Sequence, residues 1–214
     1  MTTTKPTFIF VPGAWHCTTK FEPVTSQLEA LGYPTKSVQL PCFGAEPPLS
    51  DFQPDVAAIR QEIEKTVDDG EDVVLFMHSY GGIVGVSLLD MLQGIPLPWF
   101  IVSEDKTKVD PDCPEDIFYN DMEEVAIKET IAGLKHHSYQ TFYSKLTYPA
   151  YKDIPVTYIK CALDKAVPPE GQQQMIDVSG VDVVVEDMET SHSPFLSKPD
   201  LVIAALRRSA GESF

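Results

Sequence analysis

The run Val73-Val74-Leu75-Phe76-Met77-His78-Ser79-Tyr80-Gly81-Gly82 constrains this chain more than any other stretch. Apolar, largely β-branched or aromatic residues stop at Met77, and four residues later two glycines open a segment with a helical apolar pattern. That pattern predicts a strand, a very tight turn and a helix, with Ser79 at the apex. Glycine suits the start of such a helix, because a serine held on a sharp strand-to-helix turn leaves no room for side chains where the helix packs back on the strand. The Tyr80 N–H, at the positive end of the helix, would face any oxyanion formed at Ser79. The text follows G-x-S-x-G except at its first position, where Met77 stands for glycine. The alternative is a Ser-Tyr-Gly-Gly loop that only ends a strand.

The segments before this turn alternate in period. Thr7 to Val11 reads as a buried parallel strand that runs into Pro12-Gly13-Ala14-Trp15-His16. Phe21, Val24, Leu28 and Leu31 recur at helical spacing up to Gly32, Thr35 to Leu40 is a strand, and Val56, Ile59, Ile63 and Val67 mark a second helix. Cys42 to Pro54 between them is loop. Strands alternating with helices imply a parallel sheet covered on both faces, with its ligand crevice at the carboxyl ends of the strands. Gly13 and Ser79 both fall at such ends.

After Ser79 the pattern weakens. Gly85 to Gln93 allows a short helix, and Leu97 to Val102 is apolar but carries Pro98, which suits an edge strand or a docking loop. Pro111 to Lys145 reads as short helices, either a cap over the crevice or an ordinary helical subdomain. Ile154 to Cys161 restores a strand, with Asp164 just beyond its end. A helix from Pro168-Pro169 to about Val178, a strand from Val181 to Val185, a loop holding His192 and an amphipathic helix through Leu201 and Leu206 complete the chain. The 214 residues suit one α/β domain, 1–214, with 95–150 as a helical cap or insert.

A net charge of −16 repels phosphate backbones and anionic lipid surfaces, which argues against nucleic-acid and membrane partners. No apolar run approaches the roughly 20 residues that span a bilayer, and Phe8 to Val11 is too short for a signal-peptide core, so a cytoplasmic location is expected. Cys17, Cys42, Cys113 and Cys161 have no metal-site spacing and read as reduced thiols, with Cys161 buried in a strand. His136 and His137 diverge around a helix and make a poor metal pair, so a surface or lid position is expected for them.

Gly13-Ala14, Ser79, Asp164 and His192 thus lie on four loops at four strand ends. Acyl transfer needs such a set: a hydroxyl to attack, an imidazole to carry its proton, a carboxylate to orient the imidazole and N–H donors for the oxyanion. The chain order Ser, Asp, His is that of α/β-hydrolases.

The sequence resembles that family, and within it the small esterase branch that includes plant methyl esterases, hydroxynitrile lyases and related microbial hydrolases. The matching text is Phe10 to His16, His78-Ser79-Tyr80-Gly81-Gly82, Leu163-Asp164-Lys165-Ala166-Val167-Pro168 and Ser191 to Pro199, so the likeness is nearly end to end. The resemblance implies Ser79 as nucleophile, His192 as base, Asp164 as acid, and an oxyanion hole from the N–H groups of Ala14 and Tyr80. Pro12 and Met77 depart from the family's histidine and glycine. After Gly85 the chain lacks a unit of about 30 residues, the size of a strand with its helix. The sheet is therefore expected to be completed by Leu97 to Val102, by another chain, or by residues inserted between Gly85 and Val86.

The reaction expected is cofactor-free and metal-free hydrolysis of a small carboxylic ester or lactone through an acyl-enzyme. Trp15, His16, Trp99, Phe100 and Tyr143 are candidate pocket residues, and the only partner implied is the substrate, with a homo-oligomer left open. Two other readings stand beside it. A hydroxynitrile lyase would carry a lysine after the histidine and a threonine in the first oxyanion loop, where this chain has Ser193 and Gly13. An inactive binding or structural protein on the same fold is the other.

Overall fold

The computed structural model describes residues 5–85 and 97–213. The helix expected to continue to Gln93 and the join between Gly85 and Val86 lie in part outside them. The first strand, β1 (Thr7–Val11), is the centre of the fold: all five residues are buried, and it pairs in parallel with β2 (Thr35–Ser37) on one side and β3 (Val73–Met77) on the other. Its side chains alternate between faces, so a strand covered on both must be apolar throughout. Phe8 and Phe10 join one core cluster with Phe21, Val24 and Leu28 around α1 (Glu22–Ala30), with Phe195 of α7 (Pro194–Ser197), and with Val202, Ile203 and Leu206 of α8 (Pro199–Ser209). Ile9 and Val11 join the other, with Trp15, with Ile59 of α2 (Gln53–Asp68), and with Tyr80 and Val84 of α3 (Tyr80–Gly85). The second strand is shorter than expected, although the Val38 N–H still donates to the Phe10 carbonyl at 2.9 Å.

A second parallel pair, β7 (Val156–Cys161) with β8 (Val183–Met188), is connected through α6 (Pro169–Val178). Cys161 is buried at the end of its strand, and all four cysteines are free thiols. Met188 packs into the Phe8–Phe10 cluster and Ile159 lies against it, so both parallel sections share the α1–α8 layer. Among the described residues no ladder joins β3 to β7.

The segment expected to complete that sheet does something else. Phe100–Val102 forms β4, which pairs antiparallel with β5 (Lys108–Pro111), and β5 pairs with β6 (His137–Ser138). Leu97 to Val102 therefore does not close the parallel sheet. A strand following a tight turn finds its neighbour locally, and antiparallel pairing needs only that turn. With α4 (Pro114–Phe118), α5 (Glu124–Ile131) and a 3-10 turn at Tyr139–Tyr143, the 97–150 segment is mixed rather than purely helical. Of the surface or lid position expected for His136 and His137, the surface alternative is corrected for His137, which lies within the 97–150 segment. It is fully buried, its ring 4.4 Å from Tyr80 and 4.8 Å from Phe142, and burial lowers its pKa to about 3. Among the described residues no helix is long and apolar enough to cross a membrane.

Candidate active site

Ser79 sits between the end of β3 and the start of α3 with φ at 52°, a left-handed backbone that costs a non-glycine residue about 1–3 kcal/mol. The strain is held from two sides. A Cβ at Gly81 would lie 2.8 Å from the carbonyl oxygens of Val11 and Pro12, so the helix start is pressed against the end of β1 and only glycine fits. Gly82 meets nothing within 4 Å, so the second glycine answers no such demand. A Cβ at Gly13 would lie 2.8 Å from His78 Nδ1 and 3.0 Å from the Ser79 Cβ, which puts the loop carrying Ala14 directly on the turn. Tyr80 is the first residue of α3, so its N–H has no intrahelical acceptor.

The acid and base come from the second parallel section. His192 Nδ1 lies 2.8 Å from Asp164 Oδ2, with both side chains nearly buried. The N–H groups of Ala166 and Val167 donate to Asp164 Oδ1 at 2.8 and 2.9 Å, which locks the carboxylate in its turn. A carboxylate that accepts from Nδ1–H leaves the His192 Nε2 lone pair free to take a proton. The loop bearing His192 is itself tied down: the Ser191 N–H donates to Asp121 Oδ2 at 3.0 Å, and the Ser191 hydroxyl to the Phe118 carbonyl at 3.0 Å. These anchors lie in a segment whose irregular pattern gives no sign of them.

The two sections meet at His78. Its Nε2 is 2.9 Å from the His192 carbonyl oxygen, and the two rings are 4.8 Å apart. Burial, reinforced by His192 and His16, holds the His78 imidazole neutral, well below its ordinary pKa. His16 is also neutral, lowered to about 4 by burial. Its Nδ1–H donates to the Ala14 carbonyl at 2.6 Å, so its Nε2 accepts from the Tyr119 hydroxyl, also at 2.6 Å.

The candidate pocket residues divide. Trp15 is buried, its indole N–H donating to the Val109 carbonyl at 2.8 Å, and its ring stacks on Phe118 at 5.6 Å. His16 is buried beside it. Trp99 and Phe100 are half-buried, each within 5.6 Å of the Trp15 ring, while Tyr143 is exposed and hydrogen-bonded to the Tyr139 hydroxyl. One buried carboxylate has no counterpart in the sequence reading. Asp55, in the first turn of α2, accepts from the Tyr80 hydroxyl at 2.7 Å and the Cys42 N–H at 2.9 Å, bracing the residue after Ser79. Among the described residues no three His, Cys, Asp or Glu side chains are grouped to hold a metal ion.

Comparison with known proteins bears on the family and the fold. The alpha/beta hydrolase family matches residues 8–205. An alpha/beta hydrolase of Aspergillus novofumigatus, nvfD, is 29% identical, the match covering 98% of each chain. That match runs over 245 aligned positions against 214 residues here, so at least 31 positions have no residue of this chain, in keeping with the shortening read from the sequence. A pyrethroid hydrolase from Sphingobium faniae superposes with a TM-score of 0.74 at 20% identity, covering 96% of this chain and 97% of that one. A methylesterase from Arabidopsis does so with 0.73 at 21%, covering 96% and 99%.

Proposed function

The chain belongs to the alpha/beta hydrolase family, and on that premise we propose that it is a serine hydrolase cleaving a small carboxylic ester or lactone through an acyl-enzyme. Ser79 Oγ attacks the carbonyl carbon while its proton passes to His192 Nε2. The N–H groups of Ala14 and Tyr80 receive the oxyanion. Collapse of the tetrahedral species breaks the bond to the alkoxy oxygen, which takes the proton from His192 and leaves as an alcohol. Water, deprotonated by the same imidazole, then releases the acid. The observation that carries this reading is the 2.8 Å pairing of His192 with a carboxylate fixed by two N–H groups, on a loop bonded to the residue preceding Ser79. Relatives that are hydrolases and methylesterases support an ester, and the reaction needs no cofactor and suits a cytoplasmic enzyme.

Stoichiometric labelling by a fluorophosphonate probe, lost in Ser79→Ala, is the expected result. Asp164→Asn should lower kcat on a p-nitrophenyl ester by about 10⁴-fold through loss of the correct imidazole tautomer. Unchanged turnover in Ser79→Ala would remove Ser79 from the mechanism. The absence of a ladder between β3 and β7 among the described residues favours one second reading, an inactive binding protein on the same fold, for which the wild-type chain would not label. An ester and lactone panel then identifies the substrate.

A further inference from the structure

We propose that His78 is a positioning residue for the general base, an inference that rests on the roles of Ser79 and His192 given above. A carbonyl oxygen can only accept, so the 2.9 Å contact from the His192 carbonyl requires the proton of His78 to be on Nε2. The neutral ring then has a bare lone pair on Nδ1. That atom is buried, has no hydrogen-bond partner among the described residues, and lies against Gly13, where an added Cβ would come within 2.8 Å of it. The ring cannot turn to satisfy Nδ1 without losing the His192 carbonyl. Phe195 meets it edge-on at 4.8 Å, His192 lies at 4.8 Å and His16 at 5.7 Å.

The backbone of His78 is fixed as well: its N–H donates to the Val11 carbonyl at 3.0 Å, and its carbonyl accepts the Gly81 N–H at 2.8 Å. One imidazole, adjacent in sequence to the nucleophile, is therefore wedged between the first oxyanion loop and the main chain of the base. It sets how far His192 stands from Ser79, in a protein whose two parallel sections share no ladder among the described residues. A displacement of about 1 Å between reacting groups costs on the order of 10²-fold in rate.

Three substitutions separate positioning from packing. His78→Phe keeps the ring and loses the donor. His78→Gln places its amide nitrogen near the position of Nε2 and restores the donor, and His78→Asn carries the same amide but is too short to reach. Per site titrated with a fluorophosphonate, His78→Phe and His78→Asn are expected to lose about 10²-fold in kcat on a p-nitrophenyl ester with KM nearly unchanged, while His78→Gln recovers to within about tenfold of wild type. Wild-type kcat in His78→Phe, or no recovery in His78→Gln, overturns the inference while leaving Ser79 labelling and the proposed function intact. A wild-type chain that fails to label overturns the function itself, and the inference with it. Nitrogen NMR of the wild-type protein gives a readout that depends on no variant folding: the Nε2–H tautomer of His78 is expected, and the Nδ1–H tautomer would refute the proposal.

Discussion

The two parallel sections deliver their residues to one place from very different surroundings. In the three-stranded section β1 is wholly buried between two helical layers and carries Gly13–Ala14 at its end, with Ser79 following its neighbour. The two-stranded section is an open ribbon by comparison: Val184 of β8 is 61% exposed, and Arg208 reaches over from α8 to form a two-pronged ion pair with Glu186. Yet this more open section holds Asp164 and His192, whose geometry must be the tighter. The difference teaches that precision at this site comes from cross-links at the loop ends rather than from a continuous ladder. His78 to His192, Ser191 to Asp121 and Ser191 to Phe118 are those cross-links.

The largest effect expected concerns the facing edges of β3 and β7. Each strand is paired on one side only among the described residues, and every residue of β3 is half-buried rather than buried. Parallel strands are ordinarily covered on both faces and paired on both edges, and an open apolar edge invites another strand. The β3 amides are expected to exchange with deuterium orders of magnitude more slowly than an open edge allows, in a species heavier in its native state than 23.7 kDa. A denatured mass of 23.7 kDa in that species would assign the covering strand to a second copy, and a larger denatured mass to additional polypeptide. A native monomer of 23.7 kDa with fast-exchanging β3 amides would break the comparison at its root.

That edge was legible in the sequence as a missing unit only through the resemblance, since it is the family's pattern that carries a helix and a strand after the residues matching Gly85. The nucleophile turn, the Asp164 turn and the His192 loop were legible from the residues themselves, each following a strand of five or six residues with a clear apolar signal. The antiparallel sheet was not, since strands of two to four residues such as β4, β5 and β6 are too short to show a period of two. The same limit hid His137, a polar pair in text and a core ring in space. Asp55, Asp121 and His78 were opaque for another reason: each acts through side-chain hydrogen bonds to residues 13 to 114 positions away, and no local pattern encodes such a pairing.

Packing should separate the two sections next. Phe10 is fully buried with its ring 5.2 Å from both Phe21 and Phe76, so Phe10→Ala is expected to cost about 3–5 kcal/mol. Val184→Ala, on the exposed face of β8, should stay within about 0.5 kcal/mol. Urea denaturation followed by circular dichroism measures both. Similar losses in the two variants would show that β8 is covered in solution and that its open face has been misjudged.

Acid offers the smallest and most selective test. His16 and His137 are neutral in the folded protein, their pKa values lowered by burial to about 4 and about 3, whereas an unfolded imidazole titrates near 6.5. Between those values the unfolded chain binds more protons than the folded one, so stability rises with pH across the window and is lost as pH falls below about 6.5. At pH 5 the loss is about 2 kcal/mol for each of these histidines relative to neutral pH. Both sit in or beside the three-stranded section: His16 follows β1, and His137 packs on Tyr80 at the start of α3. Replacing His137 with glutamine is expected to lower stability at pH 7 but to flatten the fall between pH 7 and pH 5 by about 2 kcal/mol, since the variant has one imidazole fewer to protonate on unfolding. Hydrogen exchange at pH 5, corrected for intrinsic rates, should then show β1, β3 and β6 loosening before β7 and β8, the reverse of their order of burial. An unchanged slope in the variant would mean that His137 titrates alike in the folded and unfolded states and that its buried placement beside Tyr80 is wrong.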